Sequence, residues 1–403
     1  MDLNDTPEQA EFRARAREWI AAHAAESPPP ATHFHAADPA PYREWQAKLA
    51  KAGLVGVTWP AEFGGAGLGP AEQMIANTEL AAAGCATIVD HIAIGELGPT
   101  IIAYGSDEQK DRYLAPMLEG SAGWCQLFSE PAAGSDLAGI VTKARRGGDG
   151  WVIDGQKVWT TMAQFADFGL LLARTDPSLP KHRGLTMFVV DMHAPGVTVR
   201  PLRQITGASG FNEVFFDGVE LPEDATVGPV DAGWQVAMTT LMFERMAVLA
   251  ALDQMPFAPE DFVMGVLDHP GLDDGRVKQV LAEITAEVTG LQFTAYRALS
   301  ALGAGGIPGP EAGLGKIGLI ESGVKGAQLL TELLGPDALE GEWGELLCEM
   351  QGLRSGGGTD EILRNTIGER VLGLPPEPRV DKGVPFEQLV GGAARNGAEE
   401  VVA

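Results

Sequence analysis

Between residues 121 and 229 the hydrophobic period of this chain changes, and that change limits the folds open to it. Upstream, apolar residues recur at helical spacing. Phe12, Ala16, Trp19 and Ile20 share one face behind a start signal made of Thr6, Pro7 and Gln9. Ser27-Pro28-Pro29-Pro30 stops that helix, and more helices are expected at 41–52, 70–83, 90–104 and 107–119. Inside 121–229 the runs are short and rich in β-formers. They are Trp151-Val152-Ile153, Val158-Trp159-Thr160, Leu170-Leu171-Leu172, Met187-Phe188-Val189-Val190, Val197-Thr198-Val199 and Glu213-Val214-Phe215-Phe216. Asp154-Gly155 reads as the turn of a hairpin, and Asp217-Gly218 as the end of a strand. From Trp234 to Leu372 the helical period returns, interrupted at 303–315 and 335–344.

The expectation is an α+β chain with an N-terminal helical domain (1–120), a middle antiparallel β-barrel or sandwich domain (121–229) and a C-terminal helical bundle (230–375). A Pro-, Gly- and charge-rich tail (376–403) is expected to be an arm or partly disordered. A length of 403 residues is ample for two or three domains of about 150 residues each.

Charge narrows the partners. With 29 basic and 55 acidic residues the formal net charge is −26, so phosphate backbones and anionic lipid surfaces are repelled. The three cysteines, Cys85, Cys125 and Cys348, are far apart and lack CxxC spacing, which fits a reducing compartment and argues against a disulfide framework or structural zinc. No apolar run is long enough to span a bilayer, and the acidic first 30 residues do not read as a signal peptide. A cytoplasmic protein is expected.

Generic catalytic patterns are missing. There is no H-E-x-x-H and no G-x-S-x-G, and Gly315-Lys316 is not a Walker loop because Ile317 follows it and Pro310 precedes it. The glycines at 64, 65, 67 and 69 have the wrong spacing for a dinucleotide loop and read as a surface loop. His33 and His35 read as solvated rather than metal-ligating, and no metal site is expected.

One segment is more informative. Phe128-Ser129-Glu130-Pro131-Ala132-Ala133-Gly134-Ser135-Asp136 is small, polar and turn-rich, and its hydroxyls and exposed amides can line either a tight loop or an anion or cofactor site. It resembles the signature of the acyl-CoA dehydrogenase family. In family order come Tyr104-Gly105-Ser106-Asp107-Glu108-Gln109-Lys110 upstream, then Gly155-Gln156-Lys157-Val158-Trp159-Thr160-Thr161, Arg183-Gly184-Leu185-Thr186, Phe215-Phe216-Asp217-Gly218-Val219 and Gly358-Thr359-Asp360-Glu361-Ile362. The resemblance covers about 5–375.

The resemblance implies FAD bound between a helical domain, a β-domain and a four-helix bundle. Phe128 and Ser129 would hold the flavin edge, Gly134 and Ser135 would lie near the pyrophosphate and the thioester ligand, Trp159 would cover the ring system, and Thr161 would approach N5. Thr160, Gly335, Thr359 and Glu361 complete the implied cofactor set. Ser135, Arg245, Gly357 and Gly358 form the implied substrate set. Abstraction of an α proton from a thioester needs a base. The usual family position, just before Gly358, is Gly357 here and has no side chain. Leu241-Met242-Phe243-Glu244-Arg245 resembles the L-x-x-E-R pattern of isovaleryl-type members, so Glu244 is the candidate base. Its apolar neighbours would desolvate it and raise its pKa.

Two segments depart from the family pattern. R-x-x-F-G is replaced by Asp268-His269-Pro270-Gly271-Leu272-Asp273-Asp274-Gly275-Arg276, leaving Arg276 as the local cation, and Q-x-x-G-G reads Glu332-Leu333-Leu334-Gly335-Pro336. These changes, and Ile367–Pro375, are similar to actinobacterial dehydrogenases of steroid side-chain degradation, some of which are α2β2 pairs. The implied partners are an acyl-CoA substrate, an electron-transferring flavoprotein as acceptor rather than NAD, and either like subunits or a sister subunit. The alternatives on the same fold are a flavin monooxygenase or oxidase, and a non-catalytic subunit.

Overall fold

The run Leu170-Leu171-Leu172 becomes a strand buried on both faces, and the middle of the molecule is organised around it. Leu170 and Leu172 join a core shared with the N-terminal helices, while Leu171 and Ala173 point the other way into the core of the β-domain. Neighbouring Phe188 and Val190 join the second core, and Val189 joins the first. This double burial explains why these strands read as continuous apolar runs and not as alternating ones.

The structure, a computed structural model, describes residues 4–30, 38–86, 88, 90–250, 259–303, 309, 313–379 and 381–390. His33, His35, most of the interruption at 303–315 and the tail beyond 390 lie outside the described residues. The N-terminal part contains α1 (Pro7–His23), α2 (Ala40–Lys51), α3 (Pro70–Ala82), a π turn (Ala93–Leu97), α4 (Gly98–Tyr104) and α5 (Asp107–Leu118). Thr6 caps α1 reciprocally with Gln9 as its sequence implies. Ser106 and Gln109 repeat the device on α5. The Gln109 amide also donates to the carbonyls of Asp224 and Thr226, which ties α5 to the end of the β-domain.

The middle part is an eight-stranded sheet of β1 (Trp124–Leu127), β2 (Lys143–Gly147), β3 (Gly150–Thr161), β4 (Phe168–Arg174), β5 (Leu185–Asp191), β6 (Val197–Leu202), β7 (Phe211–Pro222) and β8 (Thr226–Val227). The order is β6-β7-β3-β2-β4-β5-β8, with β1 beside β4. Most pairs are antiparallel; β1 runs parallel to β4, as does the single β2–β4 register pair.

The expected Asp154-Gly155 hairpin is not a hairpin. β3 runs unbroken through it, and the β2–β3 turn lies at Gly148-Asp149, between paired Gly147 and Gly150. Asp217-Gly218 does not end β7 either: the register slips there against Ile153–Gly155, Gly218 takes φ 60°, and its N–H donates to Asp154 at 2.9 Å. The two Asp-Gly pairs therefore form one bulge, face to face. A Cβ at Gly155 would lie 2.4 Å from the Thr142 hydroxyl, so only glycine fits the crossing.

The C-terminal part contains α6 (Gly233–Ala250), α7 (Pro259–Gly265), α8 (Gly275–Gly303), α9 (Gly313–Leu334), α10 (Glu342–Leu353) and α11 (Asp360–Arg370). Val277, Leu281, Ile284 and Val288 set the buried face of α8 at helical spacing, against Leu319, Ile320, Val324 and Leu330 of α9. The last described piece of the tail is an anchored arm. α12 (Phe386–Val390) buries Phe386 beneath the Arg174 guanidinium, and Asp381 pairs with Lys181 at 2.6 Å. Among the described residues, no helix is long and apolar enough to cross a membrane.

The glycine-rich loop at 64–69 wraps Trp59. A Cβ at Gly65 would lie 2.2 Å from the Trp59 carbonyl, and the Trp59 indole donates to the Ile94 carbonyl of the π turn at 3.0 Å. The π turn in turn lies against α6, where a Cβ at Gly95 would stand 2.8 Å from the Ala247 Cβ. Gly95→Val should therefore push α6 outward and lower stability by about 1–3 kcal/mol. A lower urea midpoint, partly recovered by adding Ala247→Gly, is the expected result; an unshifted midpoint would show that the close approach is not what seats α6.

Candidate functional site

Lys157 has no exposed side-chain surface, and its ammonium joins two of the sequence motifs. Its Nζ donates to the Phe128 carbonyl at 2.9 Å and to Glu130 Oε1 at 2.8 Å. Glu130 also accepts from the Val141 and Thr142 amides at 2.7 and 2.9 Å, and its own N–H and carbonyl pair with those of Ala133. The Ser129 carbonyl accepts the Val158 amide at 2.9 Å. A tight loop after β1 is thus fixed to the middle of β3. Burial pushes the Lys157 ammonium down to about 8. Burial also works against the Glu130 carboxylate, but the Lys157 charge and the three donors outweigh it and hold Glu130 below its usual range. The pair therefore stays ionised at neutral pH.

Beyond Lys157, β3 has a second bulge. Three steps from Lys157 to Thr160 face two steps from Val214 to Asn212. The extra residue throws Trp159 outward, with φ 59° and 61% of its surface exposed, edge-on to Phe211. Met162 also takes a left-handed φ, 56°. Non-glycine residues in that region cost about 1–3 kcal/mol each and concentrate at functional sites. Here they bracket buried Thr160 and half-buried Thr161. Beside this shelf, Gly134 and Ser135 are exposed, and a Cβ on Gly134 would meet nothing within 4 Å. An open loop of hydroxyls and amides next to an exposed indole fits a flat, polar-tailed cofactor such as FAD. Phe128 is buried under the loop, and Ser129 is half-buried at its start.

A second group gathers on α6 and the turn before α11. Glu244 projects from α6 toward Gly357, where an added Cβ would stand 3.2 Å from Glu244 Oε1. Gly357 and Gly358 take φ of 60° and 85°, a turn that side chains resist. Lys316 of α9 holds it, donating to the Arg354 and Gly358 carbonyls at 3.0 and 2.7 Å and to Asp360 at 3.3 Å. Thr359 caps α11 by accepting the Ile362 amide, and Glu361 is exposed in its first turn. Burial raises the Glu244 pKa, and the positive charges of Arg245 and Lys316 restrain the rise. Arg245 itself is exposed.

The π turn connects the two groups. Asp90, just before it, accepts the Trp124 amide at the start of β1 at 2.7 Å and the Ala93 amide at 3.0 Å. A cleft lined by Arg43, Asp90, His91, Trp124, Thr161 and Met162 runs between this segment and the end of β3. Gly335 is not brought to either group. It follows α9 at the end away from Lys316, about 27 Å along the helix at 1.5 Å per residue. Arg276 is at that same end, paired with Glu332 at 2.8 Å.

Sequence reasoning gave no role to Glu130, Lys157, Lys316 or Glu96. For the first two the signal was present: Glu130 shares its motif with one other charge, Asp136, and Lys157 is the single charge of its own.

Three family models match consecutive parts of the chain: acyl-CoA dehydrogenase N-terminal domain (6–121), middle domain (125–219) and C-terminal domain (231–372). The acyl-CoA dehydrogenase FadE34 of Mycobacterium tuberculosis is 41% identical over 83% of this chain, which spans 47% of that protein's length. The acyl-CoA dehydrogenase IpdE1 of the same organism is 36% identical over 92% of this chain and 98% of its own. A solved structure described as the Tcur3481-Tcur3483 steroid ACAD superposes with a TM-score of 0.82 at 29% identity, covering 94% of this chain and 100% of that one.

Breaking a buried ion pair by removing one partner typically costs about 3–5 kcal/mol. Lys157→Met should therefore destabilise the protein by that order and free the loop at 128–136. Proteolysis within this loop, absent in the parent protein, checks the second effect; a loop that stays resistant would show that the ion pair does not hold it.

Proposed function

The chain belongs to the acyl-CoA dehydrogenase family, and from that premise we propose that it removes the α and β hydrogens of an acyl-CoA thioester, leaving the trans-2-enoyl thioester, with Glu244 as the base. The observation that carries the reading is the 3.2 Å approach of Glu244 Oε1 to the space a side chain at Gly357 would enter. The carboxylate that position 357 lacks is supplied from α6. FAD, when bound, supplies the acceptor for the hydride that leaves the β carbon.

The chain's own residues do the rest. Glu244 accepts the α proton at a carboxylate oxygen. Its burial raises its proton affinity, which suits it to a weakly acidic carbon. The Gly357 N–H is assigned to the thioester carbonyl, where charge develops as the proton leaves, and Gly358 and Ser135 line the same approach. Trp159, Thr160, Thr161, Phe128, Ser129 and Gly134 hold the cofactor, with Thr359 and Glu361 at the margin nearest α11. A carboxylate in a desolvated place beside the 357–358 turn favours the dehydrogenase over a monooxygenase.

The substrate class we favour is a steroid side-chain thioester, because the steroid dehydrogenase described above is similar along its whole length. That relative's name joins two proteins, and here Arg276 is engaged with Glu332 while Gly335 is remote from Glu244. Both features fit an oligomer in which another subunit, like or unlike, completes the cofactor site. An electron-transferring flavoprotein in the cytoplasm is the proposed acceptor.

Glu244→Gln tests the reading. Loss of a general base typically costs about 10²–10⁴-fold, and the rate of flavin bleaching by substrate should fall at least that far while the visible flavin spectrum is retained. Because the Glu244 pKa is raised, the parent protein should lose activity as pH falls through a value above the ordinary carboxylate range. A variant retaining more than about a tenth of the parent rate would assign the base elsewhere.

A further inference from the structure

The π turn and α6 pack antiparallel, and the contacts between them fix a register. Thr100 Oγ1 bonds Thr240 Oγ1 at 3.0 Å in a fully buried contact. At the other end Gly95 approaches Ala247 so closely that an added Cβ would stand 2.8 Å from the Ala247 Cβ. Thr100 is four residues after Glu96, and Thr240 four before Glu244. Gly95 and Ala247 bracket the same pair from the far side. The two glutamates are therefore opposite one another, and the Thr100 hydroxyl, which donates to the Glu96 carbonyl at 2.7 Å, links that carbonyl to the Thr240 side chain of α6. Glu96 is 6% exposed and stands in a π turn, an irregularity frequent at functional sites.

Two carboxylates facing each other across packed helices disfavour a second charge, and the Glu244 charge is among the causes that raise Glu96, so the pair favours keeping one proton. The surroundings decide which. Glu244 lies in the fields of Arg245 and Lys316, which favour its charge. The charges felt most at Glu96 are two carboxylates, Glu244 and Asp90, and they join burial in raising its pKa far above the ordinary range. Arg245 stands on α6 and Lys110 and Arg112 on α5, but no cation is among the charges that act most on Glu96. Cys125 on β1 and Tyr113 on α5 are kept neutral by burial, which raises both. His91 is held down at about 4 by burial and is neutral, and the Tyr104 hydroxyl of α4 bonds Thr239.

We propose that Glu96 is a positioning residue for the reaction: it holds the proton of the Glu96–Glu244 pair, so that one negative charge, on Glu244, faces the substrate. The proposal rests on the reading of Glu244 as the base. When Glu244 takes the α proton, both carboxyls become neutral and no charge is stranded beside the developing enolate. If Glu96 ionises at high pH, a second negative charge repels the electron-rich transition state and the reaction slows. The parent protein should therefore show two limbs, an acid limb from Glu244 and an alkaline limb from Glu96.

The experiment is flavin reduction against pH in Glu96→Gln. The substrate is the thioester that reduces the parent protein's flavin fastest among straight-chain, branched and steroid side-chain acyl-CoAs. Glutamine mimics the protonated acid, so the rate near neutral pH should stay within about threefold of the parent. The acid limb should persist, and the alkaline limb, about tenfold per pH unit in the parent, should vanish. An alkaline limb unchanged in Glu96→Gln overturns the proposal. Should that variant fail to fold, Glu96→Asp must shift the alkaline limb, and an unshifted limb overturns it equally. Without any substrate, infrared spectroscopy of the parent protein at pH 8 should show a protonated-carboxyl C=O stretch that Glu96→Gln removes; its absence from the parent overturns the proposal. Glu244→Gln separates the two ideas. If it keeps activity, the base reading falls. If it is inactive while Glu96→Gln titrates like the parent, only the role of Glu96 falls.

Discussion

The ion pair between Lys157 and Glu130 is the constraint on which the β-domain side of the site depends. Two charges are removed from water, and they are tolerated because every strong donor and acceptor around them is used: two amides, one carbonyl and the partner charge. The result is a loop that cannot move relative to β3. Lys157 is also the last residue in register before β3 slips against β7, so the pair anchors the strand where the bulge begins. Trp159 is then exposed by geometry, in a backbone conformation that a free strand would relax. The buried charge thus supports local strain, and the strain presents the indole.

The α6 side depends on a different kind of fixing. Trp59 bonds the π turn, the π turn meets α6 at Gly95, and Thr100 bonds Thr240. These contacts are short, buried and directional, so a helix whose own sequence is apolar nearly all round is held in one rotation. Lys316 does the same for the 354–360 turn, its ammonium gathering the Arg354 and Gly358 carbonyls, the first of which also accepts the Asp360 amide. Asp90 closes the circuit by accepting from the first residue of β1, the strand that leads into the 128–136 loop.

Much of this was legible in the residues. The three-part order followed from the change of hydrophobic period, and the capping boxes at Thr6 and Ser106 are where their patterns place them. What failed was local strand chemistry. Asp154-Gly155 carries a turn signal, yet the pairing of β3 with β7 outweighs it, because one long ladder satisfies more backbone groups than two short strands and a turn. The same signal in Asp217-Gly218 is absorbed by the same bulge. The tail reads as an arm or as partly disordered; what its Pro- and Gly-rich composition hides is the anchoring, supplied by one aromatic, Phe386. Glu96 could not be recognised at all. Its significance lies in the register between two segments nearly 150 residues apart, which no spacing within either segment encodes.

The α6 carboxylate has a structural consequence for the turn it faces. At a φ of 60°, position 357 favours glycine, and a glutamate there would carry about 1–2 kcal/mol of backbone strain. With the carboxylate on α6 instead, the turn is free to adopt the left-handed pair at Gly357-Gly358 that brings their backbone close to Glu244. The carboxylate then comes from a helix interior, where its rotamers are restricted by packing, and not from a loop. It also comes to lie beside the π turn, and so opposite Glu96. A carboxylate on the helix, and not on the turn, therefore faces a different second carboxyl, and with it a different local charge.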